Sequence, residues 1–147
     1  MPGAISSRPS GGDSPPPPFT PIEDSDLVSA WRQFAYSPRY DVWEAGDHYG
    51  QVWENAWKQV FAIFETRNGN WFRRSWEDIV SRFYDIVMWV ERYIEIEETC
   101  APGVNPMSEF NRVWGIDFQF GPCCDLVRDL SDRTLRYSGV NPHARLR

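Results

Sequence analysis

Residues 71–98 read WFRRSWEDIVSRFYDIVMWVERYIEIEE, and one period governs their apolar side chains. Phe72, Trp76, Ile79, Val80, Phe83, Ile86, Val87, Val90, Tyr93 and Ile94 recur at spacings of three and four, which places them on one face of an α-helix. Arg73, Arg74, Glu77, Asp78, Arg82 and Asp85 fill the gaps, while Tyr84, Met88 and Trp89 widen the apolar stripe beyond that of an ordinary surface helix. The spacing predicts a long central helix over about 72–98. At about 1.5–3 kcal/mol for each buried side chain, such a stripe is large enough to organise a domain of this size.

Working outward, Arg67-Asn68-Gly69-Asn70 interrupts the pattern with residues that tolerate a left-handed backbone. Before it, Tyr49, Val52, Trp53, Ala56, Trp57, Val60, Phe61 and Phe64 mark a second helix from Asp47, its candidate cap, to about Glu65. The two helices are expected to meet at a tight corner and pack together. Upstream, DSDLVSAWRQFAY at 24–36 carries Asp24, Ser25 and Asp26 as capping candidates, with Leu27, Val28, Trp31, Phe34 and Ala35 on one face. Ser37-Pro38 ends this helix, because the residue before proline is pushed out of the α region. Downstream, CAPGVNP at 100–106 breaks the chain. SEFNRVW then predicts a short helix capped by Ser108, GIDFQF alternates like a strand without a partner in sight and is read as irregular, and Pro122 opens a last helix with Leu126, Val127, Leu130 and Leu135 inward.

The fold class is therefore all-α, a single compact helical bundle over residues 22–138. Residues 1–21 hold seven of the twelve prolines and almost nothing that enters a core, and read as a disordered proline-rich arm. The Pro15–Pro18 run suits polyproline II, a spacer conformation that proline-reading domains also recognise. Residues 139–147 read as a flexible tail. With 147 residues, 41% of them hydrophobic and 16% aromatic, the chain builds one core held by few, large contacts.

Charge narrows the partners. A net charge of −6 argues against nucleic acid, which needs a positive surface to displace counterions. No apolar run is long enough for a membrane span and no leader pattern opens the chain, so the sequence reads as cytoplasmic without a transmembrane anchor. Three cysteines, Cys100, Cys123 and Cys124, fit neither a disulfide framework nor paired zinc-ligand spacing, and His48 and His143 lie far from other ligand types. No metal or cofactor is expected.

Three stretches, in order, resemble the Bcl family of helical apoptosis regulators. DLVSAWRQFAYSPRYDVWEAGD is similar to that family's fourth homology motif through Leu27, Val28, Trp43, Ala45, Gly46 and Asp47. FETRNGNWFRRSW resembles the first homology motif through Phe64, Asn70, Trp71 and Arg73, and MWVERYIE resembles the sixth-helix motif through Trp89 and Tyr93. The resemblance implies that Asn70 and Arg73 line a groove receiving an amphipathic partner helix, with Arg73 pairing an aspartate and Trp71 packed beneath. The chain departs from the family at Phe72, where the family keeps glycine, and leaves no room for its second and third helices.

Two other classes compete with this reading. One is an aromatic-rich helical scaffold or assembly protein, of the kind small viral and accessory proteins provide, self-associating through Trp53, Trp57 or Trp89. The other, the weakest, is an enzyme built on Cys123 or Cys124 with His48 or His143 as base, or on the carboxylates of Asp41, Glu44 and Asp47, none of which has a motif context.

Overall fold

The computed structural model describes residues 17–37 and 50–130. The described residues form five α-helices, in order α1 (Pro21–Ala35), α2 (Gln51–Asn68), α3 (Trp76–Thr99), α4 (Pro106–Trp114) and, after a 3-10 turn at Gly121–Cys123, α5 (Cys124–Arg128). The described residues contain no strand.

Local chemistry sets each boundary. Thr20 caps α1, its hydroxyl accepting from the Glu23 N–H while the Glu23 carboxylate accepts from the Thr20 N–H, and Pro21 occupies the first helical position. The helix thus starts ahead of the Asp24–Asp26 capping candidates. Asp24 is buried inside it, and Pro17–Thr20 belong to the packed domain. α2 runs on to Asn68 and stops at Gly69, which adopts φ +81°. Asn105 caps α4 in place of Ser108, accepting from the N–H groups of Met107 and Ser108.

The central helix begins later than its period predicts. Ser75 caps α3, accepting from the Asp78 N–H while the Asp78 carboxylate accepts from the Ser75 N–H. This capping box stops the helix at Trp76, and residues 71–74 form the corner, with Asn70 and Arg73 both at positive φ. Phe72 consequently leaves the stripe and is 40% exposed, and Arg73 lies outside the helix. From Ile79 to Tyr93 the stripe is buried as the period requires, and Ile96 extends it.

Three helices meet on an aromatic triad. Trp31 of α1 stacks on Trp57 of α2 at 5.1 Å, and Phe83 of α3 lies 5.7 Å from Trp31 and 5.3 Å from Trp57. α2 packs chiefly along α1 and only secondarily against α3, although the tight corner joins it to α3. A second aromatic cluster fixes the C-terminal part. Phe110 of α4 and Phe118 of the irregular 116–120 segment close over Tyr93, which stacks on Phe118 at 4.3 Å. The alternation of GIDFQF is real but serves a chain that lays Phe118 and Phe120 into the core while Ile116 stays exposed. α5 turns Val127 inward, followed by Leu130, and Arg128 pairs with Glu97 of α3. Leu135 lies outside the described residues.

Candidate functional site

The corner between α2 and α3 is fastened by a network of hydrogen bonds around Asn70 and Arg74. Asn70, at φ +47°, donates from Nδ2 to the Arg74 carbonyl (2.9 Å) and to the Glu65 carboxylate (3.1 Å), and its Oδ1 accepts from the Arg74 N–H (2.8 Å). Arg74 is buried. Its guanidinium holds both carboxylate oxygens of Glu23 at 2.9 Å and donates to the carbonyls of Pro17 and Pro18, with the Phe19 ring 4.1 Å and the Phe72 ring 5.1 Å from its centre. Arg82, one helical stretch further, grips Asp24 in the same bidentate way at 2.8 and 3.0 Å. Two adjacent carboxylates of α1 thus anchor two arginines of the corner and of α3.

The two carboxylates respond differently. Burial pushes Glu23 upward, but the bonds from Arg74 and Thr20 outweigh it and leave its carboxyl below the ordinary value. Burial also pushes Asp24 upward, and Arg82 offsets this incompletely, so Asp24 stays above its ordinary value.

This bracing displays three side chains. Trp71 is 83% exposed and lies over Gly69, where an added Cβ would stand 3.1 Å from the indole nitrogen. Phe72 is partly exposed, and Arg73, at φ +56°, is exposed with no ion pair among the described residues. The expectation that Trp71 packs beneath the surface therefore fails, because the capping box at Ser75 places it in the corner rather than on the stripe. Arg73 stands four residues before Glu77, and Arg74 three before Glu77 and four before Asp78, but neither makes an ion pair with them among the described residues. Arg74 is committed to Glu23, and the Asp78 carboxylate caps α3.

A groove lies between α1 and α2. It encloses about 580 Å³, with Phe34, Ala62 and Ile63 as an apolar floor and Gln33, Ser37, Gln59, Thr66 and Arg67 around it. Arg67 donates to Gln33 across the groove (3.2 Å). Asn70 and Arg73 do not line this groove; they follow it, beyond the C-terminal end of α2.

Other sequence candidates fall elsewhere. Trp57 is fully buried in the triad and Trp53 packs edge-on against Trp76, so neither presents an open indole face. Trp89 is half-buried between Phe110 and Trp114, with Arg92 over both indoles. Cys123 and Cys124 are buried, which pushes their thiols up to about 12 and about 11 and keeps them protonated at neutral pH. Trp43, Gly46 and Asp47, with Asp41, Glu44, His48 and His143, lie outside the described residues.

Sequence reasoning missed Arg74 as the hub. Its signal was available as the two capping boxes, Thr20-x-x-Glu23 and Ser75-x-x-Asp78, which place Arg74 immediately before a helix start. Compared with protein-family models, curated proteins and solved structures, the chain finds no match. Among the described residues, no helix is long and apolar enough to cross a membrane.

Proposed function

We propose that this domain is a non-enzymatic protein-interaction module that receives an amphipathic helix from another protein in the groove between α1 and α2. The observation that carries the reading is the groove itself, open to solvent and floored by Phe34, Ala62 and Ile63. Its volume suits two or three apolar anchors from one helix face, the spacing at which helix-in-groove recognition works. Arg73 supplies a free cation beyond the groove's end for an acidic side chain of the partner, and the resemblance to the Bcl family adds the expectation that this partner is a pro-apoptotic helix. Burial keeps the Cys123 and Cys124 thiols protonated, which makes them poor nucleophiles.

Fluorescence polarisation of a labelled pro-apoptotic helical peptide tests this. Binding in the micromolar range or tighter is expected, abolished by Thr66→Arg, which fills the groove mouth, and weakened tenfold or more by Arg73→Ala. Absence of binding to the wild-type chain at high micromolar concentration sinks the reading. A second reading, a scaffold acting through self-association, is favoured by the 83% exposure of Trp71 beside the exposed Phe72, since Trp and Phe are costly to leave in water and are enriched in interface cores.

A further inference from the structure

We infer that two copies of this chain pair by exchanging Trp71, each indole entering the other copy's α1–α2 groove. The inference deepens the self-association reading and names its interface.

The groove is chemically suited to a neutral aromatic donor. Its floor is apolar, and two hydroxyls at its edge have already spent their hydrogens. Ser37 Oγ donates to the Phe34 carbonyl at 2.6 Å, and Thr66 Oγ1 donates to the Ala62 carbonyl at 3.0 Å. Each is left with lone pairs and so acts as an acceptor. Among the described residues that line it, Arg67 is the charged one and is turned to Gln33, and none is a carboxylate. Such a site favours a flat apolar group carrying one N–H, which describes an indole.

The same chain presents that group. Trp71 makes no hydrogen bond among the described residues, lies over Gly69, and is not among the residues lining its own groove. It is held out on a corner braced by Asn70 and Arg74, so little freedom is lost when it docks. Knob and groove are also suitably placed for exchange. The groove takes Gln59 to Arg67 from the second half of α2, and Trp71 follows that helix by three residues. A two-fold arrangement that brings one copy's corner to the other's groove therefore makes the reverse contact as well, and the assembly closes at two.

Area sets the strength. Two Trp71 rings bury about 150–250 Å² each, on the order of 300–500 Å² in total, and Phe72, already more than half covered, adds less; this is well below a standard stable interface and fits a weak, concentration-dependent dimer.

Size-exclusion chromatography with light scattering on the full chain, from low micromolar to near-millimolar concentration, tests this. The wild type is expected to shift from monomer to dimer over that range. Trp71→Ala and Thr66→Arg, both at exposed positions, should each stay monomeric with unchanged circular dichroism. An equimolar mixture of the two variants should show more dimer than either variant alone at the highest concentration, and less than the wild type, because one of the two Trp71–groove contacts remains in the mixed pair. A wild type that stays monomeric throughout overturns the self-association reading as a whole. Self-association that survives Trp71→Ala overturns only this interface and points to the exposed Val113, Trp114 and Ile116. Growth beyond two copies shows head-to-tail stacking and overturns the reciprocal arrangement. At concentrations where the wild type is monomeric, Trp71→Ala keeps an intact groove and should bind the peptide as the wild type does, which keeps the groove reading separately testable.

Discussion

Glu23 and Arg74 stand 51 residues apart in sequence and meet as a fully buried bidentate ion pair, both contacts at 2.9 Å. Glu23 simultaneously closes the capping box of α1, and the Arg74 backbone is clasped by Asn70. One carboxylate thus couples the start of α1 to the corner before α3. Removing either partner leaves a buried charge uncompensated, which costs about 3–5 kcal/mol. Arg74→Ala and Glu23→Gln are each expected to lower stability by that order in urea unfolding followed by circular dichroism.

The neighbouring arginine behaves in the opposite way. Arg73 holds φ +56° and its side chain is exposed, so its backbone is strained and its head group carries no internal load. Arg73→Gly is expected to stabilise the fold by about 1 kcal/mol through relief of the left-handed conformation, while weakening peptide binding. An Arg73→Gly variant that loses stability would show that the side chain is part of the packed corner.

Acid sensitivity follows from Glu23. Its folded carboxyl titrates below the ordinary 4.5, so the unfolded chain binds the proton first, and stability falls as pH drops through that window. Asp24 has the reverse sign. Its folded carboxyl titrates above the ordinary 3.8, so its contribution favours the fold at low pH and is lost as pH rises through the elevated value. In melts between pH 7 and pH 3, Glu23→Gln should flatten the acid decline and Asp24→Asn should steepen it. Parallel curves for the two variants would contradict the opposite signs.

The four residues before α1 are structural, and truncation should reveal it. Thr20 caps α1, Phe19 lies under Arg74 and Arg82, and the Pro17 and Pro18 carbonyls accept from Arg74. Residues 1–16 carry almost no core-forming side chains. Deleting 1–16 should leave the melting temperature within a degree or two, whereas deleting 1–20 loses both the cap, worth about 0.5–2 kcal/mol, and the Arg74 contacts to Pro17, Pro18 and Phe19. Equal effects of the two deletions would place the domain boundary elsewhere.

Periodicity disclosed the elements whose burial depends on one face, and capping decided what periodicity could not. Leu27, Val28, Trp31 and Phe34 of α1 and Ile79 to Tyr93 of α3 are buried as their spacing requires. The corner was misread because Phe72 and Trp76 fit the stripe as well as any helical pair, and the apolar pattern carries no information about where hydrogen bonding starts. Ser75 and Asp78 supply it through reciprocal bonds. The capping boxes place Arg74 just before a helix start, but its partner was not legible: a charged residue near Glu77 and Asp78 looks like a surface pair, and the long-range approach of α1 is what brings Glu23 to it. The groove between α1 and α2 depends on how two helices cross, which local spacing does not encode.

Phe83 is where the three long helices are joined, and its truncation provides the most demanding check of the fold. The ring is fully buried, 5.7 Å from Trp31 and 5.3 Å edge-on to Trp57, while those two indoles stack on each other at 5.1 Å. Phe83→Ala removes the α3 member of that triad and opens a cavity that two large, rigid indoles cannot close by small rotations. The expected loss is about 3–5 kcal/mol, a large part of the roughly 5–15 kcal/mol by which small domains are stable. Phe83→Leu, which keeps most of the volume, should cost less than half as much. Urea titration of the two variants against wild type separates the cases. A loss of a few tenths of a kcal/mol for Phe83→Ala would mean that the triad does not bear the contact between α3 and the other two helices, and that the second aromatic cluster around Tyr93 and Phe118 holds α3 in its place.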